Sequence, residues 1–280
     1  MAEPRSIIGD FAGTDELLAM AQAGSLENVG PVRVARAGRI GPLIELAWAR
    51  SLHPSLYSLV TAEAPFVLDV DRAIMSGVVS GSDRASRFGV FPLVHLGPEG
   101  DQSDQWTLWF SRADQAAQAA GFSNSTAAMI MGAFGELQDN VFRHSGAYAS
   151  GLIAYAITSQ GFELVVSDQG IGVLGSLRTH PDHADVVDAG SALRRALANG
   201  ESRFGRDSGC GLGIGQIFRA LANQDGDLRF RSDDYVLEIH GDSPTLQGQL
   251  EMRHKAALPG LTVSVLCRPF GRRPDETQRP

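Results

Sequence analysis

From Asn124 to His144 the apolar residues Ala127, Ile130, Phe134, Leu137 and Val141 recur at alternating steps of three and four, the spacing of one helix face. Two runs rich in β-branched and aromatic residues follow, Gly151 to Thr158 and Phe162 to Ser167, separated by Ser159-Gln-Gly161. They predict a strand pair with a tight turn, and the second strand delivers Asp168-Gln-Gly-Ile-Gly172 at its end. A long amphipathic helix beside a strand pair has to bury its apolar stripe in a layered arrangement of helix and sheet. The helix predicted over 124–144, capped by Asn124 or Ser125, sends Leu137 and Val141 to the core and leaves Glu136, Asn140 and Arg143 on the adjacent stripe.

Glu136 and Asn140 stand four residues apart and so project from one side of that helix. A carboxylate and a carboxamide so placed can serve one ion and one water. Mg²⁺ is a hard cation that takes oxygen ligands, so an Asn oxygen with phosphate oxygens suits it and leaves Glu136 free as a base. Farther on, Gly209-Cys-Gly-Leu-Gly213 opens a helix marked by Ile214, Ile217, Phe218 and Leu221. Glycines there let the backbone approach a phosphate, and the exposed N–H groups and helix dipole favour an anion. Each feature alone has a plain structural explanation: a solvated helix carries Glu and Asn, a tight turn uses Asp and Gly, and a helix entry packs closely through glycine. The three in this order, each on a suitable element, point to a nucleotide site.

The whole constellation resembles the GHKL ATPases, the superfamily of gyrase, heat-shock chaperone, histidine kinase and MutL nucleotide domains. Glu136 to Asn140 is similar to the N box, Asp168 to Gly172 to the first glycine box and Gly209 to Gly213 to the second. The resemblance covers roughly the C-terminal 150 residues, an ordinary domain size. It implies a Bergerat fold: an α+β two-layer sandwich, its mixed sheet backed by helices on one face. It also implies a site for ATP and Mg²⁺. Asp168 would take the adenine amino group, with Gly170 and Gly172 in its loop. Asn140 would hold the metal, while Arg143, Gly209, Gly211, Leu212 and Gly213 would hold the phosphates. Glu136 would be the catalytic base.

Outside that stretch the chain is less explicit. Val32 to Ala35, Ile40 to Ala49 and Phe66 to Val70 suggest a strand, a helix and a strand, hence a small α/β N-terminal domain over residues 1–104 serving partner binding or sensing. The polar, glycine-bearing Gly97 to Asp104 segment is the expected linker, and Gln105 to Phe110 is expected to be a strand. The nucleotide domain then spans 105–270, with a helix from Asp185 or Asp188 to Asn199, a loop over Gly200 to Ser208, and strands at Asp227 to Arg231, Val236 to His240 and Leu261 to Leu266. Residues 271–280 form a polar, loose tail.

Several alternatives fall away on the same residues. A net charge of −8 argues against a nucleic-acid partner. No apolar run approaches bilayer length and no secretory leader is evident, so a cytoplasmic protein without a membrane partner is expected. Cys210 and Cys267 build no disulfide framework, and Cys210 reads as a small filler of its loop. Gly170-Ile-Gly-Val-Leu-Gly175 also satisfies the dinucleotide fingerprint, but Pro181 falls where the required helix should continue. His180 and His183 lack the companion ligands of a metal site. Arg203 and Arg206 are either solvated loop charges or γ-phosphate contacts.

The resemblance implies an ATPase or protein kinase acting on a separate regulatory protein of STAS-like or response-regulator-like kind. Its alternative is a non-catalytic, nucleotide-gated interaction switch. A topology or chaperone machine would need a large transducer segment after the nucleotide domain. A histidine autokinase would need His followed by an acidic residue, whereas the residues after His53, His95, His144, His180, His183, His240 and His254 are Pro, Leu, Ser, Pro, Ala, Gly and Lys. Similarity to stand-alone bacterial regulatory ATPases, including anti-sigma-factor serine kinases, is what remains.

Overall fold

A computed structural model describes residues 5–36, 38–62, 66–81, 87–98, 100, 103–199, 226–241 and 250–269. The N-terminal part runs β1 (Arg5–Ile8), α1 (Phe11–Gln22), α2 (Leu26–Val29), β2 (Val32–Arg36), α3 (Gly41–Leu52), α4 (Ser55–Leu59), β3 (Val60–Ala62) and α5 (Val67–Ser76). Its three strands form a parallel sheet in the order β1-β2-β3. The rest runs β4 (Phe88–Pro92), α6 (Asp104–Ala119), α7 (Asn124–His144), β5 (Leu152–Ile157), β6 (Phe162–Asp168), α8 (Gly172–Arg178), α9 (Ala189–Asn199), β7 (Gly226–Gly241) and β8 (Leu250–Cys267). These strands form one sheet in the order β4-β5-β6-β8-β7. The protein is thus mixed α and β, and every neighbouring pair of the larger sheet is antiparallel, where a mixed sheet was expected.

That sheet is covered on both faces. Side chains alternate across it, so Phe162, Leu164 and Val166 of β6 face the cluster built with α6, α7, α8 and α9, while Val165 faces the cluster built with α1, α3 and α5. Helices on one face only, the expectation drawn from the resemblance, is therefore incomplete: the N-terminal helices α1 and α3 pack on the back. The back face admits them because it is small and polar there, with Ala154, Ala156, Ser167, Thr262 and Ser264. At Gly41 a Cβ would stand 2.8 Å from the Ser264 Oγ and 2.9 Å from Glu163 Oε1, so α3 approaches the sheet more closely than any larger residue would allow.

Charge locks this contact. On β7, Leu228 and Phe230 face the front cluster and the alternate residues Arg229 and Arg231 face the back, both buried. Arg229 donates to Glu45 Oε1 at 3.0 Å, Glu238 at 2.6 Å and Asp15 at 2.7 Å, and Arg231 donates to Asp15 at 2.6 Å and Glu45 Oε2 at 3.0 Å. Burial alone would raise the Asp15 pKa, but the guanidinium groups of Arg229 and Arg231 reverse this and hold it below its ordinary value. Two cations lie near the Phe11 ring, with Arg229 Cζ 4.3 Å and Arg39 Cζ 5.0 Å from its centroid.

Three local expectations are corrected. Gln105 to Phe110 belongs to helix α6, which starts from a Ser103 cap and buries Trp106, Trp109, Ala113, Ala116 and Ala117 at helical spacing. Phe66 to Val70 opens helix α5, whose Val67, Val70 and Ala73 are buried. Asp227 to Arg231 and Val236 to His240 lie on one strand, β7, broken in register at Asp233. Strand β4, which precedes residue 104 in the chain, pairs with β5, which follows it.

Candidate functional site

Helix α7 has the bounds expected for it, though the cap is Ser123, whose Oγ accepts the Thr126 N–H at 3.2 Å. The face buried is the one carrying Ala127, Ile130, Phe134, Leu137 and Val141. Glu136 is left exposed and Asn140 half-buried beside that stripe. Arg143 meets Asp139 at 3.9 Å with both side chains about half exposed, a pair weak enough to leave the guanidinium free for another anion.

Asp168 ends β6 on the face shared by Phe162, Leu164 and Val166, the face that α7 covers. It is 2% exposed. Its Oδ1 accepts the Gly170 N–H at 2.7 Å. Burial pushes its pKa up to about 7 against the opposing pull of the Gly170 and Leu261 N–H groups, and the Asp233 carboxylate adds to the rise. No salt bridge among the described residues neutralises it. A buried carboxyl with spare acceptor capacity is the kind of group that receives a ligand's N–H donor.

The loop after Asp168 is tied to the end of α7. The Ile171 N–H donates to the Ser145 carbonyl at 2.8 Å, and Ser176 Oγ lies 3.3 Å from His144 Nδ1. Gly170 allows this approach, since a Cβ there would collide with the Ser145 carbonyl. Gly172 begins α8 with φ +64°, and its Cβ would stand 2.5 Å from Asp233 Oδ2. The structure thus brings Asp168, Gly170 and Gly172 against the C-terminal end of α7, the end that carries Asn140 and Arg143. Glu136 lies one turn further back on the same helix.

Gly209, Gly211, Leu212 and Gly213 lie outside the described residues, as do Cys210, the loop with Arg203 and Arg206, and the helix expected over 214–221. His183 is buried and His180 half-buried around the short 3₁₀ turn Pro181–His183. Among the described residues no group of three or more His, Cys, Asp or Glu side chains is arranged to hold a metal. The antiparallel sheet removes the dinucleotide alternative, which needs parallel strands joined by helices.

Sequence reasoning missed Ser232 and Asp233. Ser232 Oγ accepts the Val173 N–H at 3.0 Å, at the start of α8. Asp233 is the one non-glycine with positive φ among the described residues, at 52°. Burial and the neighbouring Asp234 push its pKa up to about 6. The available signal was the polar Ser232-Asp-Asp234 interruption between two strand-like runs, which also fits a strand boundary.

No helix among the described residues is long and apolar enough to cross a membrane. No family model, no curated protein and no solved structure matches the chain.

Proposed function

We propose that the chain is a GHKL-type regulatory protein with a Bergerat-type ATP site, which either hydrolyses Mg-ATP or transfers its phosphoryl group to a separate protein partner. The observation that carries this reading is Asp168, a buried carboxyl at a strand end whose loop is hydrogen-bonded to the end of the helix bearing Asn140. The residues fit the ligand: Asp168 offers acceptor capacity to an adenine amino group, Gly170 and Gly172 keep the loop low enough for a base to approach, and Asn140 offers a hard oxygen to Mg²⁺. Bound Mg-ATP supplies the phosphoryl group. The chain's own contribution is to orient it and, at Glu136, to accept a proton from water or from a partner hydroxyl. A non-catalytic switch would use the same binding groups without Glu136.

Titration calorimetry with ATP and Mg²⁺, followed by a phosphate-release assay, separates the two. If Glu136 is the base, Glu136→Ala binds ATP like the parent and its turnover falls by roughly a hundredfold or more. Equal and negligible release from both proteins, with normal binding, identifies the switch. A parent protein that does not bind ATP ends the nucleotide reading.

A further inference from the structure

Strand β6 presents Asp168 forward while its back-facing residues are held by the N-terminal helix α3 at two points. At one end the fully buried Glu163 sits on the start of α3. It accepts the Ile40 N–H at 2.6 Å, the Arg39 Nε–H at 2.9 Å, the Ser264 hydroxyl at 2.7 Å and the Gly41 N–H at 3.3 Å. At the other end the Trp48 indole N–H donates to Ser167 Oγ at 3.0 Å, and Ser167 Oγ lies 2.6 Å from Thr262 Oγ1. All three of these side chains are buried. Ser167 and Thr262 are register partners, and each is followed or preceded by the next pair, Asp168 opposite Leu261.

The lengths match. From Gly41 to Trp48 a helix rises about 10 Å, and from Glu163 to Ser167 a strand extends about 13 Å. Helix α3 therefore lies along β6 as a splint, fastened at both ends. The second fastening is one residue from Asp168.

We propose that Trp48 is a positioning residue for the candidate nucleotide site: through Ser167 and Thr262 it fixes the strand end from which Asp168 is presented, and so couples the N-terminal unit to ligand binding. The role assigned to Asp168 rests on the nucleotide reading; the positional coupling does not. Trp48→Phe removes the indole N–H that donates to the hydroxyl and leaves a smaller aromatic ring in its place. Ser167→Ala breaks the same link from the other side and leaves the ring untouched.

The Gly170 amide reports directly on the Asp168 carboxylate, to which it donates. Hydrogen exchange of that amide, followed by NMR without nucleotide, is therefore the primary measurement, with the α7 amides as internal reference. Trp48→Phe and Ser167→Ala should each speed Gly170 exchange on the order of tenfold relative to α7, and the double variant should do no more than either single one. ATP affinity, measured by calorimetry on the same proteins, should fall about as much. Parent-like Gly170 exchange in both variants overturns the proposal, and so do effects that add in the double variant or speed the α7 amides equally. If the parent fails to bind ATP, the nucleotide reading falls and the exchange data still decide the coupling.

Discussion

Asp168 is expensive to bury, because ionising it in the fold must be achieved with backbone N–H groups and no cation among the described residues. Its pKa rises from 3.8 in the unfolded chain to about 7 in the folded protein. Between those values the native state holds a proton that the unfolded chain has released, so stability falls as pH rises through that window and levels off above it. Each pH unit within the window costs up to about 1.4 kcal/mol. Asp168→Asn, which stays neutral, should lose most of this slope. Asp233, raised to about 6, should leave a smaller slope of the same sign below that pH. Urea unfolding of parent and Asp168→Asn at a series of pH values from 4 to 8 measures the difference, and parallel curves would show that Asp168 is not protonated in the fold.

At the scale of elements, the site depends on how closely the Asp168–Gly172 loop approaches α7. Gly170→Ala places a methyl group against the Ser145 carbonyl, so the loop must lift and the Ile171 N–H bond to Ser145 is lost. The expected result is a destabilisation of roughly 1 to 3 kcal/mol, from strain and an unpaired buried donor, together with loss of ATP binding. Thermal unfolding and calorimetry read the two effects, and unaltered affinity would mean that the loop is not part of the site. Elements with a clean period were legible from sequence: α7, the β5–β6 pair and α9 fall where apolar spacing and turn residues put them. The failures have local causes. Trp106, Trp109 and Phe110 favour strands by type, yet the Ser103 cap and the spacing of Trp106, Trp109 and Ala113 commit them to a helix. Ser232-Asp-Asp234 reads as a strand boundary, but a single left-handed residue at Asp233 bends one continuous strand and aims its carboxylate at Gly172.

At the scale of the molecule, the N-terminal helices α1 and α3 form a layer behind the larger sheet. Its contact with the sheet was illegible in sequence because Arg229 and Arg231, alternating with Leu228 and Phe230, look like the solvent-facing half of an ordinary strand. Only the fold shows that Asp15 and Glu45 meet them. Removing one partner of a buried charge network leaves the others uncompensated, so Glu45→Gln should cost about 3 to 5 kcal/mol in urea unfolding. A cost below about 1 kcal/mol would show that water reaches these charges and that the layers are only loosely joined. The three-layer arrangement also makes Asp168 the point where the N-terminal helices, the sheet and the α7 layer converge, through Trp48 and Ser167 behind it and Ser145 in front. The most direct test of the account compares, by calorimetry with Mg²⁺, the binding of ATP and of a purine nucleoside triphosphate lacking the 6-amino group, on the parent and on Asp168→Ala. The parent should prefer ATP by about 1 to 3 kcal/mol, the worth of a buried hydrogen bond, and Asp168→Ala should lose that preference. A parent that binds the two nucleotides equally, or an Asp168→Ala protein that still prefers ATP, would contradict the assignment of Asp168 to the base.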